Sequence, residues 1–286
     1  MASKVSANNI IKAVNRHLPT VLSNIITSYC CAVETLLRTV PINISRGHII
    51  RDAAISSEGQ IYLIGSFGHA VYVINTAGTI INKFGADILQ WPWSICIDND
   101  MVYITENNQV QVFDLQGQWI RSWGHYSSDA GDLDVTGNEV YVVDANNYRI
   151  QIFDLKGQFL RIIKTEGQHS WLPNRIAISD NRTIYVNDHL SIMRLFTIDD
   201  KFVRSWEYPS EGYTDFAIHG NQIYINDDNN EQCSVYSEEG ELLRSFKYGD
   251  DTDLSSCAAM FSPSSDEIYL VYGNELQVFV PKLELR

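Results

Sequence analysis

The sequence predicts an all-β, six-bladed β-propeller preceded by a short helical segment. Three observations carry this. An Ile/Val-Tyr step recurs six times, at Tyr62, Tyr103, Tyr141, Tyr185, Tyr224 and Tyr269. The steps between them are 41, 38, 44, 39 and 45 residues, the period of one propeller blade per repeat. Each copy is a set of short alternating runs broken by turn residues, the pattern of strands with two different faces.

The third copy shows the unit most clearly. Asp132-Leu133-Asp134-Val135-Thr136 reads as a short inner strand and Gly137-Asn138 as a turn. Val140-Tyr141-Val142-Val143, rich in β-branched and aromatic residues, is the second strand. Asp144 to Asn147 is a polar loop, and Arg149-Ile150-Gln151-Ile152-Phe153 alternates as a third strand. Gly157 turns the chain into Gln158-Phe159-Leu160-Arg161-Ile162, the outer strand. The other copies keep this order, with an Arg in several outer strands (Arg121, Arg204, Arg244). An outermost strand is wet on its edge, so these arginines read as solvated edge residues or packing stems. No such blade can bury both of its faces alone, and stacking in a ring supplies the cover while removing most open sheet edges.

The run from Glu139 to Asp154 (EVYVVDANNYRIQIFD) resembles the NHL repeat, whose core is an apolar-Tyr-Val-Ala-Asp segment (Val143 standing at the Ala here), an Asn-rich turn, then Arg-apolar-Gln-apolar-Phe. The match is strong in this copy, fair from Val102 to Gly117 and loose elsewhere. The resemblance implies a six-bladed ring, in agreement with the six Tyr anchors. No Trp-Asp dipeptide supports a WD40 reading, and kelch repeats are longer.

Residues 1–40 lack the repeat and read as a separate helical segment, with the propeller over 41–286. Leu18, Val21, Leu22, Ile25, Ile26 and Tyr29 fall on one helical face, and Pro19 suits a first turn. The pattern Leu18-Pro19-x-x-Leu22-x-x-Ile25-Ile26 also resembles the opening of F-box-like segments. That resemblance implies docking to a Skp1-type adaptor, with the propeller presenting a substrate to a ubiquitin ligase. The structural alternative is a helix that caps the propeller. Ring closure is expected within the last repeat, Leu283 to Arg286 forming its fourth strand. Glu34 to Val40, which echoes Glu241 to Phe246, is the alternative latch.

The net charge is −14, with residues 1–40 at +3 and the remainder at −17. An acidic ring repels phosphates, which disfavours nucleic acid and favours basic partners. No apolar stretch is long enough to cross a bilayer, and no secretion signal is legible. Five cysteines (Cys30, Cys31, Cys96, Cys233, Cys257) fit neither a disulfide framework nor a zinc site. A reducing, cytoplasmic setting is the expectation. Asn43-Ile44-Ser45 and Asn181-Arg182-Thr183 fit a glycosylation sequon that is common by chance.

Two regions are candidates for function. The loops joining second to third strands, with those between blades, form one rim. Trp91, Trp93, Glu106, Asn108, Tyr126, Asp144, Asn147, Trp171, Asp188, Tyr208 and Asp227 collect there as an acidic, aromatic surface suited to a protein or peptide. The starts of the inner strands ring the channel mouth: Asp52, Ser94, Asp132, Arg175, Asp215 and Ser256. Asp134 stands where the other copies carry Ala54, Cys96, Ala177, Ala217 and Ala259, so it must find partners or shift its pKa upward. The expectation is a non-catalytic, cofactor-free binding propeller with no catalytic residues. The alternative is a calcium-dependent, lactonase-like hydrolase with the ion held by Asp52, Asp132 and Asp215.

Overall fold

A computed structural model describes residues 35–42, 50–65, 69–124, 131–164, 171–210, 214–227, 232–247, 257–261, 267–272 and 275–280. Its first strand is β1 (Thr35–Pro41). The first blade is β2 (Ile50–Ile55), β3 (Ile61–Gly65), β4 (Val71–Ile74) and β5 (Ile80–Phe84). The second is β6 (Pro92–Asp98), β7 (Met101–Glu106), β8 (Gln109–Asp114) and β9 (Trp119–Gly124). The third is β10 (Leu133–Thr136), β11 (Glu139–Asp144), β12 (Arg149–Asp154) and β13 (Phe159–Ile163). The fourth is β14 (Pro173–Ile178), β15 (Thr183–Asp188), β16 (Ile192–Thr197) and β17 (Phe202–Glu207). The fifth is β18 (Thr214–His219), β19 (Gln222–Asp227), β20 (Gln232–Ser237) and β21 (Leu242–Lys247). The last holds β22 (Cys257–Phe261), β23 (Ile268–Tyr272) and β24 (Glu275–Val280). Every blade is an antiparallel sheet of four strands in sequence order, except that β1 is the outer strand of the last.

That exception corrects the expected closure. β1 pairs antiparallel with β24, from Thr35 opposite Val280 to Pro41 opposite Glu275. The boundary drawn after residue 40 therefore cuts through a propeller strand, and residues 35–40 are not helical. The physical advantage is that one sheet is built from both ends of the ring, so opening it breaks a backbone ladder. Val40 and Ile42 add apolar cover by packing with Tyr269, Val271, Leu276 and Val278. Residues 283–286, and the segment carrying Leu18, Pro19, Leu22, Ile25 and Ile26, lie outside the described residues.

The core is distributed as one apolar cluster per seam. Tyr62, Ile64 and Val73 of the first blade pack against Ile95, Val102 and Phe113 of the second. Tyr141, Val143 and Ile152 meet Ile176, Ile184 and Phe196 one seam further on. The repeated tyrosines are therefore seam residues: Tyr62, Tyr103, Tyr141, Tyr185 and Tyr224 are fully buried. Their hydroxyls reach out, Tyr62 donating to the Leu115 carbonyl at 3.0 Å and Tyr185 to Glu238 Oε1 at 2.8 Å, each in the next blade.

Glycine makes the same seams tight. A Cβ on Gly117 would lie 2.3 Å from Phe84 Cγ, one on Gly157 2.4 Å from Trp123 Cγ, and one on Gly240 2.5 Å from Trp206 Cγ. In each case the outer strand of one blade fits under the turn of the next. The fourth blade has Asp200 at the corresponding turn, with φ 65°. There Arg161 of the third blade pairs with Asp200 Oδ2 at 2.6 Å and with Glu139 Oε1 at 2.6 Å. The outer-strand arginines are thus not simply solvated edges. Arg121 donates to the Leu155 carbonyl at 2.5 Å and Arg204 to Glu239 at 3.3 Å, both across a seam.

Candidate functional site

Inner strands begin at the channel, so Asp52, Ser94, Asp132, Arg175 and Asp215, one from each of the first five blades, meet at a common mouth; Ser256 lies outside the described residues. Arg175 of β14 occupies it. Its Nη1 lies 3.6 Å from Asp52 Oδ2 and 3.4 Å from Asp132 Oδ1, and its Nε lies 3.5 Å from Asp215 Oδ1. Its Nη2 donates to the Arg51 carbonyl at 3.3 Å. The carboxylates are themselves tied to backbone: Ala53 and Ile95 N–H donate to Asp52, Ile176 N–H to Asp132 and Phe216 N–H to Asp215. Ser94 Oγ donates to Asp52 Oδ2 at 2.7 Å and is also hydrogen-bonded to Asp132.

Below the mouth is a cavity of about 300 Å³, open because Ala54, Cys96, Ala177 and Ala217 are small. Asp134 is the polar member of this ring. Its Oδ1 accepts from Val135 N–H at 2.7 Å and from the Cys96 thiol at 3.3 Å, and its Oδ2 accepts from Ile178 N–H at 2.7 Å. Burial outweighs these bonds and pushes its carboxyl up to about 7. Burial also pushes Asp52 up to about 7, opposed by Arg175 and assisted by Asp132 and Asp215. Desolvation works against the Arg175 charge, yet Asp215, Asp52 and Asp132 together hold its pKa above the ordinary value. The Cys96 thiol is pushed well up by burial and by Asp134, so it is a poor nucleophile.

Arg175 decides the fit of a cation. Its guanidinium stands among the three carboxylates that would have to converge on calcium. Among the described residues no group of three or more His, Cys, Asp or Glu side chains is arranged to hold a metal ion. The residues present do not fit calcium at Asp52, Asp132 and Asp215.

The rim differs from its sequence reading. Glu106, Asp144, Asp188 and Asp227 are buried, as are Trp171 and Tyr208. The acids close the second strands and brace the loops and third strands beyond them. Asp144 accepts from Asn147, Arg149 and Gln151 at 2.8, 2.7 and 2.9 Å. Asp188 pairs with Arg194 and accepts from Leu190 N–H and Ile192 N–H. Glu106 accepts from Gln90 N–H and Gln111. They are therefore turn-building groups and not an exposed acidic surface. Asn108 is exposed and Asn147 half-buried. Tyr126 lies outside the described residues.

Two of the predicted rim aromatics face solvent: Trp91, 53% exposed, and Trp93, 39% exposed. Pattern reading missed their companions. The Arg51 guanidinium lies 4.5 Å from the centroid of the Trp93 ring. His69 meets Trp91 edge-on with ring centroids 5.3 Å apart. Arg51 and Trp93 hold equivalent places, each the extra residue of a register shift just before a mouth residue, Arg51 between Ile50 and Asp52 and Trp93 between Pro92 and Ser94, which period-two alternation does not reveal. Tyr148 and Leu190 are exposed elsewhere on the rim loops.

No protein-family model matches the chain, and no curated protein matches it by sequence. Solved structures that resemble it include lyases and a WD40 β-propeller domain. A streptogramin B lyase superposes with TM-score 0.63 at 10% identity, over 85% of this chain and 96% of that one. A catalytically inactive virginiamycin B lyase from Staphylococcus aureus, solved with quinupristin, gives 0.61 at 13% identity, over 86% and 89%. The WD40 β-propeller domain of Doa1 gives 0.62 at 12% identity, over 88% and 98%. At such identities the likeness is one of fold. A lyase and a WD40 domain both stand among the neighbours, so the fold alone does not choose between chemistry and binding. No helix among the described residues is long and apolar enough to cross a membrane.

Proposed function

We propose that this chain is a non-catalytic, cytoplasmic protein-binding propeller, whose partner docks on the rim at Trp91 and Trp93. The observation that carries the reading is their exposure, with Arg51 and His69 packed on them, where the other predicted rim aromatics Trp171 and Tyr208 are buried. Tryptophan and arginine dominate binding energy at protein interfaces, and leaving two indoles half in water is otherwise costly. The mouth supports the same reading, because its carboxylates are bonded to Arg175, Ser94 and backbone N–H groups.

The test is co-purification with the tagged chain against a Trp91→Ser/Trp93→Ser variant whose melting profile matches wild type. Loss of a partner from the variant is expected; equal recovery from both proteins overturns the reading. In its substrate-adaptor form, the same proposal adds a dock for a Skp1-type protein at Leu18, Pro19, Leu22, Ile25 and Ile26, supported by the sequence pattern alone. Ile25→Asp should abolish adaptor recovery, and undiminished recovery removes that form while leaving the rim reading in place.

A further inference from the structure

Resting on the rim reading above, the geometry points to the chemistry of the partner: we propose that the Trp91–Trp93 patch takes a basic segment, a partner Arg or Lys side chain lying against Trp91. The patch already performs this interaction internally, since the Arg51 guanidinium is 4.5 Å from the Trp93 centroid. An indole face attracts a cation through its quadrupole, and Trp is the strongest of the aromatic partners. Trp91 is the more exposed of the pair and offers a partner what Trp93 offers Arg51.

Charge complementarity selects the sign. The whole chain carries −14, so its field draws in basic partners and repels acidic ones. Asp52, adjacent in sequence to Arg51, belongs to a mouth where three carboxylates surround the Arg175 guanidinium. Arg175 offsets one of those charges, so the sign is set by the field of the whole chain. An acidic partner residue meets that field head-on and gains Arg51 alone, a guanidinium already committed to Trp93. An uncharged apolar segment gains the indole surface without the field.

The experiment uses the full chain and three blocked tripeptides: Ac-Arg-Leu-Arg-NH2, Ac-Nle-Leu-Nle-NH2 and Ac-Glu-Leu-Glu-NH2. The Trp91 and Trp93 indole N–H resonances, assigned by their loss in Trp91→Phe and Trp93→Phe, are followed by NMR up to about 10 mM peptide, the range of weak millimolar binding. The arginine peptide should shift both resonances. Raising the salt from about 0.05 to about 0.5 M should weaken its binding several-fold, because the Debye length falls severalfold. Trp91→Leu should weaken it about three- to five-fold, the effect of one exposed cation–π contact. The proposal is overturned if the norleucine or glutamate peptide binds as well as the arginine peptide, if salt has no effect, or if no peptide shifts either indole. A partner still lost from Trp91→Ser/Trp93→Ser in the face of such a result leaves the docking surface standing and removes only its basic specificity. Arginine-peptide binding with no partner affected by that variant has the opposite consequence.

Discussion

Replacing Gly157 by Ala tests the seam packing on which the ring depends. Gly157 has φ +85°, where an L residue is strained by about 1–2 kcal/mol. Its added Cβ would also lie 2.4 Å from Trp123 Cγ, 2.5 Å from Cδ2 and 2.8 Å from Cβ. Nothing flexible gives way there, because the ring base of Trp123 is held in a cluster with Tyr103, Val110 and Phe153. Overpacking of that kind costs a further ~1–3 kcal/mol. Gly137 is the internal control: its φ is +62° and nothing lies within 4 Å of a Cβ there. Gly137→Ala should therefore show the backbone cost alone, and the difference between the two variants should be about 1–3 kcal/mol. Equilibrium unfolding in guanidinium chloride, read by far-UV circular dichroism, measures both through the shift in midpoint at constant slope. Trp123→Ala placed in the Gly157→Ala background deletes the atoms at 2.4 and 2.5 Å and should recover part of the summed loss of the two single variants, as contacting residues are not additive. Equal destabilisation by the two glycine variants, or no recovery in the double variant, refutes the seam argument.

Two further outcomes concern the mouth and the closure. Asp134 has a folded pKa of about 7 against 3.8 for the free group, so the folded state holds its proton where the unfolded chain has released it. The stabilisation tied to that proton is complete at low pH and is lost as pH rises from about 4 to about 7, at ~1.4 kcal/mol for each pH step of one across that interval. Asp134→Asn should flatten that loss between pH 5 and pH 8 without abolishing it, because Asp52 titrates in the same direction. Urea unfolding at the two pH values checks this, and an identical pH slope in variant and wild type contradicts it. Deleting residues 35–42 removes the β1–β24 ladder with the apolar cover of Val40 and Ile42. At ~1.5–3 kcal/mol per buried aliphatic side chain the melting temperature should drop by about 10 °C or more; an unchanged melt would mean that another segment supplies the fourth strand.

The fold was legible because its signal is local and repeated. The six Ile/Val-Tyr steps fall in β3, β7, β11, β15, β19 and β23, where strands covered on both faces need bulky apolar residues at consecutive positions. Ring closure was not legible in the same way. Leu283 to Arg286 and Glu34 to Val40 both read as outer strands, and choosing between them depends on a pairing between opposite ends of the chain. The mouth residues could be placed from the register of the inner strands, and Asp134 stood out by breaking a column of small side chains. The rim was harder. Asp144, Asp188 and Glu106 are of the residue types that line binding surfaces, yet a carboxylate at a strand end serves equally to satisfy the N–H and side-chain donors of the adjoining loop. Sequence records the residue type and not which of those partners the carboxylate meets.

The same competition for polar groups explains why the acids of the rim are not its contact surface. A propeller must hold six sheets edge-on without a single central core, and its polar residues are committed to that task. Arg161 joins Glu139 to Asp200, Arg121 and Tyr62 reach carbonyls of the next blade, and Arg175 neutralises the converging inner strands. Groups engaged in this way are poor candidates for recognising anything else, since each new bond to a partner would break one within the ring. Trp91, Trp93, Arg51 and His69 are different in kind. Their mutual contacts leave both indoles substantially in water, and covering them breaks no seam bond. A partner that covers them gains apolar burial at no cost to the ring, which the more numerous acids around them cannot offer.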